Sequence, residues 1–269
     1  MNKWLGLLLA LMCWNGAGLL IFGTSHKPGR PVSKPTGAAG RIVSMAPNLT
    51  EILFQLGLED RIVAVSNDSD YPPQAREKKK AGTFWQPNIE AIRAAEPDLV
   101  ITLGFEQQKS TARRLEQMGC QTLTVNVEKV DELLEAIKAI GSATDKGPQA
   151  ESLVNQIKGE LESLSRKLSE GKKVRVLWVV QREPLRVAGR DTFINELIEL
   201  AGGENAIGPT VHKYPPIGIE QVIACNADVI IEPAMTGGVS DRQHRAALQY
   251  WGRFSYLPAV KNHRIYIVD

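Results

Sequence analysis

The stretch IEAIRAAEPDLVIT at residues 89–102 returns as IEQVIACNADVIIE at residues 219–232. Both stretches open with an isoleucine and a glutamate, and both place an aspartate just before an apolar run. The first half of each has helical spacing, and the apolar run is typical of a buried strand. The repeat therefore predicts two similarly built α/β halves, which carry Glu90 and Glu220 at equivalent places.

The same alternation of apolar runs and amphipathic stretches continues from residue 41 to the end of the chain. Strands are expected at RIVSM, RIVAVS, QTLTVN, KVRVLWVV and RIYIVD, and helices at NLTEILFQLG, STARRLEQMG, VDELLEAIKAIG and TFINELIELAGG. Gly57, Gly119 and Gly141 come where helices are expected to end. This alternation predicts β-α units with mostly parallel, open sheets.

Residues 147–170 interrupt this pattern with one long amphipathic stretch. Its apolar residues recur at spacings of three and four, at Ala150, Leu153, Ile157, Leu161, Leu164 and Leu168. We therefore predict two α/β lobes, residues 41–146 and 171–269, bridged by a single helix over 147–170.

The N-terminal end has a different composition. After Lys3 an apolar run continues to about residue 23, which is close to the roughly 20 residues that span a bilayer. Residues 24–40 are rich in proline, glycine and lysine and suit a linker. We expect residues 1–23 to be either a cleaved signal peptide or an uncleaved membrane anchor. Both alternatives export the rest of the chain or hold it at a membrane, and we expect the folded part to lie outside the cytoplasm.

Composition and motifs exclude several classes of function. A net charge of +2 from 32 basic and 30 acidic residues is too small for a nucleic-acid-binding surface. The three cysteines and four histidines lack the spacing of a disulfide framework or a protein-ligated metal site. No phosphate-binding or nucleophile motif is present, and GGENAIG at 202–208 is expected to be a helix end followed by a loop. We expect no cofactor, no catalytic residue and no enzyme activity.

Candidate ligand-binding residues lie in loops that follow or precede the predicted strands. The first half has SNDSDYPP and GTFWQP, and the second has QREPLR and VHKYPP. Trp85 and Tyr214 precede the two repeat glutamates by similar distances. If the lobes face each other, these two aromatic residues flank one cleft at the carboxyl ends of the strands.

These stretches carry a resemblance to a known family. RIVSMAPNLTEILFQLGLEDRIVAVSNDSDYPP, FWQPNIEAIRAAEPDLVIT, TFINELIELAGGENAIG and IEQVIACNADVII together resemble the periplasmic-type solute-binding proteins of ABC importers for cobalamin, haem and iron-siderophores. The closest resemblance is to the cobalamin-binding branch, and it runs from residue 41 to the end. It implies the class III fold, in which a rigid helix bridges two lobes and the ligand lies between them.

The resemblance also implies roles for individual residues. Glu90 and Glu220 would dock with arginines of a membrane permease, and the protein would act as a monomer. The predicted ligand contacts are Asp68, Phe84, Trp85, Gln86, Arg182, Arg186 and Tyr214. The family often has aromatic residues at the Asp68 position and near the Arg186 position, so this chain departs from the pattern there. Relatives usually continue past RIYIVD into a final helix, which is a further departure.

The resulting hypothesis is capture of a small metal-chelate ligand, cobalamin, for delivery to an ABC permease. Phe84, Trp85 and Tyr214 supply the flat apolar contacts that a corrin needs. A ferric siderophore would instead prefer Arg182 and Arg186, and haem is a further alternative. Outside this class, the chain could be a ligand sensor or a two-lobed enzyme such as a glycosyltransferase, for which Asp68 would be the candidate carboxylate.

Overall fold

The computed structural model of the protein describes residues 39–167, 173–234 and 241–268. The predicted export segment, residues 1–23, lies outside these ranges, as does the predicted linker up to residue 38. Of the helices in the described ranges, none is both long and apolar enough to cross a membrane.

The N-terminal lobe is built on a parallel five-stranded sheet in the order β3-β2-β1-β4-β5. Its elements are β1 (Ile42–Ser44), α1 (Pro47–Gln55), β2 (Ile62–Val65), β3 (Lys79–Lys80), α2 (Ile89–Ala94), β4 (Leu99–Leu103), α3 (Glu106–Gln117), β5 (Thr122–Val125) and α4 (Val130–Ala143). Every residue of β1 and β4 is buried. Adjacent side chains of β1, Ile42 and Val43, belong to separate core clusters. The central strands are therefore covered on both faces, as parallel sheets require.

The long helix α5 (Gly147–Lys167) leads from this lobe to the second one. The second lobe contains β6 (Val174–Arg182), β7 (Leu185–Val187), α6 (Phe193–Leu200), β8 (Gly203–Asn205), α7 (Ile219–Cys225), β9 (Val229–Pro233), α8 (Asp241–Trp251), α9 (Pro258–Lys261) and β10 (Ile265–Val268). Its strand order is β10-β9-β6-β7, and β8 also pairs with β6. The pairs are parallel except for the β6–β7 hairpin. The predicted class, two mostly parallel α/β lobes bridged by a helix, is confirmed.

The repeated aspartate has the same structural task in both lobes. Asp98 accepts a hydrogen bond from the Arg41 N–H through Oδ2 at 2.9 Å, and its own N–H donates to the Arg41 carbonyl at 2.8 Å. In the second lobe Asp228 makes the same two contacts with Arg175, at 3.0 and 2.8 Å. The sequence repeat is therefore a structural repeat, in which each aspartate aligns its strand with the first strand of its lobe.

The bridging helix α5 packs mainly on the core of the N-terminal lobe. Ala150 and Val154 are buried in that core, and Leu153, Ile157 and Leu161 pack against it. Leu164 is 40% exposed, so the predicted apolar stripe is at the surface from this residue. Leu168 and the last part of the predicted range, residues 168–170, lie outside the described residues.

Two local predictions from the sequence are wrong. Gly57 and Gly119 do follow helix ends with positive φ angles, but Gly141 lies inside α4, which ends only at Ala143. A Cβ atom at Gly141 would lie 2.4 Å from the Cβ of Ala150, so this glycine permits close packing of α4 on α5. The stretch expected to be a loop after Gly202 forms β8, because its backbone pairs with the first residues of β6.

We predict that Gly141→Ala lowers the free energy of unfolding by about 1–3 kcal/mol, because the added methyl group forces α4 and α5 apart. Urea unfolding followed by circular dichroism measures this change. Gly159→Ala on α5 is the matched control, since beyond the adjacent backbone of its own helix nothing lies within 4 Å of its added Cβ. The control should stabilise the protein by up to about 1 kcal/mol through helix propensity. Equal stability of the two variants would contradict the packing role of Gly141.

Candidate functional site

A cavity of about 310 Å³ lies where the two lobes meet. The N-terminal lobe contributes the residues that follow β4 and β5, including Phe105 and Asn126, together with Phe84 and Trp85. The second lobe contributes the start of α6 and the loop before α7, including Phe193, Lys213 and Tyr214. The carboxyl ends of parallel strands are where open α/β sheets bind ligands. We call this space the aromatic cavity.

Three aromatic rings form one wall of the aromatic cavity. The ring centroids of Phe84 and Trp85 are 4.6 Å apart, and those of Phe84 and Phe105 are 5.0 Å apart. Trp85 also lies 5.3 Å from Phe105, and its side chain is 60% exposed. These rings support each other with edge and tilted contacts, which leaves the Trp85 ring available to a flat apolar ligand.

Two polar side chains hold the aromatic wall through the backbone of Phe84. The Asp68 carboxylate accepts a hydrogen bond from the Phe84 N–H at 2.8 Å. The fully buried Gln108 donates to the carbonyls of Phe84 and Met45 at 3.1 and 2.8 Å, and it accepts from the Leu103 N–H at 2.6 Å. Gln108 therefore connects the carboxyl ends of β1 and β4 to the loop that carries Phe84. Asp68, predicted as a ligand contact, is placed where it positions Phe84.

The second lobe supplies Tyr214 on the other side of the cavity. Arg186 donates from Nη1 to the Tyr214 carbonyl at 3.1 Å, and a bridge between Arg186 and Pro216 fixes this loop against β7. Burial raises the pKa of the Tyr214 phenol, an effect that Lys213 partly opposes. The phenol therefore stays protonated to a higher pH than an ordinary tyrosine, and it presents a ring and a hydroxyl group to the cavity.

Polar contacts cross between the lobes beside the cavity. Lys213 of the second lobe pairs with Glu128 of the first, with Nζ 2.5 Å from Oε2. The hydrogen bond to Glu128 raises the pKa of Lys213, so this ammonium group stays charged. Nearby, the Val130 N–H donates to the Glu196 carboxylate at 2.7 Å. The exposed Lys213–Glu128 pair contributes at most about 1 kcal/mol and can open without a large cost.

Arg182 lies apart from the aromatic cavity. Its guanidinium group holds the buried Glu232 carboxylate with a bidentate contact, through Nε at 3.0 Å and Nη2 at 2.5 Å. Trp251 donates from Nε1 to the same carboxylate at 2.6 Å. The hydrogen bond to Glu232 raises the pKa of Arg182, which keeps the guanidinium group charged. Arg182 lines a second cavity at the carboxyl ends of β6 and β9.

The structure brings together part of the predicted ligand-binding set. Phe84, Trp85 and Tyr214 line the aromatic cavity. The other four predicted contacts do not line it; they are Asp68, Gln86, Arg182 and Arg186. Asp68 and Arg186 instead make hydrogen bonds to the backbone of two residues that do line it, Phe84 and Tyr214.

Sequence reasoning missed several residues of this site. Phe105 comes just after a predicted strand, and Phe193 lies at the start of a predicted helix. Their positions at the ends of these elements could have identified them as candidate site residues. Gln108 and the Lys213–Glu128 pair gave no signal, because each depends on contacts between distant parts of the chain.

Glu90 and Glu220 occupy equivalent positions in the first turns of α2 and α7. Both side chains are exposed. Within the described part of the chain, neither carboxylate has a hydrogen-bond or ion-pair partner. The residues beside them differ, since Ile89 is buried whereas Ile219 is 58% exposed.

Histidine, cysteine and acidic side chains do not assemble in a group of three or more that could hold a metal ion, as far as the described residues go.

Comparison with known proteins identifies the family. The periplasmic binding protein family matches residues 42–269. The chain belongs to that family. The resemblance predicted from the sequence is thereby confirmed.

Individual relatives differ in what they bind. The chain is 30% identical to the uncharacterized ABC transporter substrate-binding lipoprotein YvrC of Bacillus subtilis, over 85% of this chain and 72% of the relative. The periplasmic vitamin B12 binding protein BtuF of Vibrio cholerae superposes with a TM-score of 0.75 at 26% identity, covering 86% of this chain and 88% of that one. The periplasmic haem-binding protein HutB of Vibrio cholerae gives 0.72 at 25% identity, covering 85% and 89%.

We predict that Gln108→Leu lowers the free energy of unfolding by at least about 2 kcal/mol, because it leaves the buried Leu103 N–H, the buried Met45 carbonyl and the half-buried Phe84 carbonyl without their partner. Urea unfolding followed by tryptophan fluorescence measures the change. Gln107→Leu is the control, since that neighbouring side chain is exposed. A loss no greater than that of the control would show that Gln108 does not hold the aromatic wall.

Proposed function

We propose that this protein captures cobalamin between its two lobes outside the cytoplasm and delivers it to an ABC permease, without catalysing a reaction. The observation that carries the proposal is the aromatic cavity, which both lobes complete. Phe84, Trp85 and Phe105 from one lobe face a space that Tyr214 and Phe193 enclose from the other. A ligand held by both lobes can be released when they move apart, as delivery requires.

The charges around the cavity favour an uncharged ligand. Among its described lining residues the one cation, Lys213, is paired with Glu128, and Asp191 adds a negative charge. Arg186 is close by and donates to a backbone carbonyl. Arg182, which would have suited an anionic siderophore, is neutralised by Glu232. A corrinoid with amide groups at its edge fits this balance better than a ligand with several negative charges.

The vitamin B12-binding relative supports the same ligand, and the haem-binding relative keeps haem as the main rival. Haem also has a flat ring that the aromatic wall could contact, but its two carboxylates would need cationic partners. The charges around the aromatic cavity therefore favour a corrinoid over haem.

We expect the full chain to bind cyanocobalamin with at least micromolar affinity in calorimetry. Trp85→Ala should weaken binding by about 1–3 kcal/mol, because the ring that covers the ligand is removed. Tyr266→Ala is the control, since this ring is half exposed on β10 and does not line the aromatic cavity. Binding of haem or a ferric siderophore without cyanocobalamin would overturn the ligand assignment. Unchanged affinity in Trp85→Ala would remove Trp85 from the site.

Glu90 and Glu220 are the residues that we propose for docking to the permease. They are exposed, they occupy equivalent places in the two lobes, and no contact in the described part of the protein engages either carboxylate. Complementing the positive end of a helix explains each glutamate separately but not their pairing. Exposed ion pairs are weak, so two of them can orient a complex that must also dissociate.

The double variant Glu90→Ala with Glu220→Ala should keep its affinity for cyanocobalamin and lose transport in vesicles that contain the cognate permease. Glu151→Ala with Glu162→Ala makes the same change of charge on the exposed face of α5 and is the matched control. The control should transport normally. Reduced ligand affinity in the first variant would place these glutamates in the binding site instead of the docking surface.

A further inference from the structure

One glycine of the aromatic cavity makes room for the side chain of a neighbouring residue. Gly104 and Asn126 directly follow Leu103 of β4 and Val125 of β5, which are partners in the parallel register of these strands. The two residues therefore lie side by side at the carboxyl edge of the sheet. A Cβ atom at Gly104 would lie 1.7 Å from the Oδ1 atom and 2.9 Å from the Cγ atom of Asn126. The Asn126 amide thus occupies the space that any other residue at position 104 would fill.

This amide lies beside the aromatic wall and is free to bond a ligand. Asn126, Gly104 and Phe105 all line the cavity, and Phe105 belongs to the wall. Asn126 is exposed, and among the residues that the structure describes its amide has no hydrogen-bond partner. An asparagine amide carries two donor hydrogens and an acceptor oxygen. The cavity therefore combines a flat apolar surface with one uncharged group that can both donate and accept.

Most other polar side chains of the cavity are already engaged or are charged. Thr192 Oγ1 makes two hydrogen bonds to backbone groups, at 2.8 and 3.1 Å. Lys213 and Glu128 are paired with each other. Within the described lining, this leaves Asn126 and the hydroxyl group of Tyr214 as the uncharged groups without a hydrogen-bond partner. A few such groups in an apolar pocket are what usually fix the orientation of a ligand.

The charges of the lining disfavour a carboxylate beside Asn126. Lys213 is the one cation in the described lining, whereas Glu128 and Asp191 are both acidic. A carboxylate has no N–H to donate to the Asn126 oxygen, and it would add a further negative charge. A primary amide can instead donate to Oδ1 and accept from Nδ2 at once. A site that bonds one group in this way rejects an analogue that lacks the matching donor.

Resting on the proposed function, we infer that Asn126 is a specificity-determining residue, which selects the amide arms of a corrinoid against carboxylates. The ring of the ligand lies against the aromatic wall, and one amide arm at its edge pairs with the Asn126 amide through two hydrogen bonds. Gly104 is the positioning residue, because only a residue without a Cβ leaves the Asn126 amide in this place. The selected ligand is an apolar macrocycle whose edge carries primary amides instead of acids.

Three corrinoids test the selection by Asn126. Cyanocobalamin and dicyanocobinamide carry amide arms, and dicyanocobyrinic acid carries carboxylates in their place. We expect Asn126→Ala in the full chain to bind the two amide corrinoids at least about tenfold more weakly in calorimetry, which two ordinary hydrogen bonds account for. Its affinity for dicyanocobyrinic acid should stay within about twofold. Asn155→Ala, at an exposed asparagine of α5 outside the cavity, is the matched control and should change no affinity.

Gly104→Ala tests the positioning of the amide. In the otherwise unchanged protein it should weaken binding of cyanocobalamin about as much as Asn126→Ala does, because the added methyl group displaces the amide. Added to Asn126→Ala, the same change should alter the affinity by less than about twofold, since the group that it displaces is already gone. No effect of Gly104→Ala alone, or losses that add in full, would contradict the inference.

The failure of the inference and that of the proposed function are distinguishable. If Asn126→Ala leaves the affinity for cyanocobalamin unchanged, or weakens binding of all three corrinoids equally, the inference is wrong while the proposed function stands. If the unmodified protein does not bind cyanocobalamin, the proposed function fails and the inference fails with it.

Discussion

The pairing of each repeat aspartate with the first strand of its lobe is the contact on which the architecture depends. Asp98 engages both backbone groups of Arg41, and Asp228 engages both backbone groups of Arg175. These contacts fix the register of β4 against β1 and of β9 against β6. A slip of one residue would turn the side chains of a strand to the opposite face and destroy the core. The carboxyl ends of these strands carry both cavities, so the same contacts place the candidate ligand-binding residues.

The lobes are held by apolar contacts on one side and by weak polar contacts at the cavity. Helix α5 buries Ala150 and Val154 in the N-terminal core, and Phe193 and Leu200 of the second lobe also pack against that core. Separating these residues would expose apolar surface, which limits the relative motion of the lobes. Next to the cavity, Lys213 and Glu128 form an exposed pair instead. Small movements of the lobes at the cavity therefore cost little, whereas large ones are opposed.

Much of the fold could be predicted from the sequence because it depends on local pattern. The alternation of strands and helices, the duplicated unit and the long helix each follow from the spacing of apolar residues within one stretch. Gly141 could not be interpreted in this way, because its neighbour Ala150 belongs to another helix. The strand Gly203–Asn205 was missed for a related reason, since it is polar and is defined by its pairing with β6.

The site was only partly predictable for the same physical reason. Aromatic residues near the ends of strands gave Phe84, Trp85 and Tyr214, which the structure brings to one cavity. The role of Asp68 depends on a hydrogen bond to a backbone N–H 16 residues away, and that of Arg182 on a carboxylate 50 residues away. Sequence indicates that such side chains are polar and lie in loops. It does not indicate which groups they bond.

The Arg182–Glu232 pair also bears on why the second lobe keeps a charged group in its interior. A buried ion pair is weak evidence for stability, because apolar residues of similar volume are often as stable or more stable. Stability alone therefore does not account for a buried carboxylate that Arg182 and Trp251 together must satisfy. Removing either charged partner alone would leave a buried group unpaired, so Arg182, Glu232 and Trp251 together hold the ends of β6 and α8 against β9 in one arrangement.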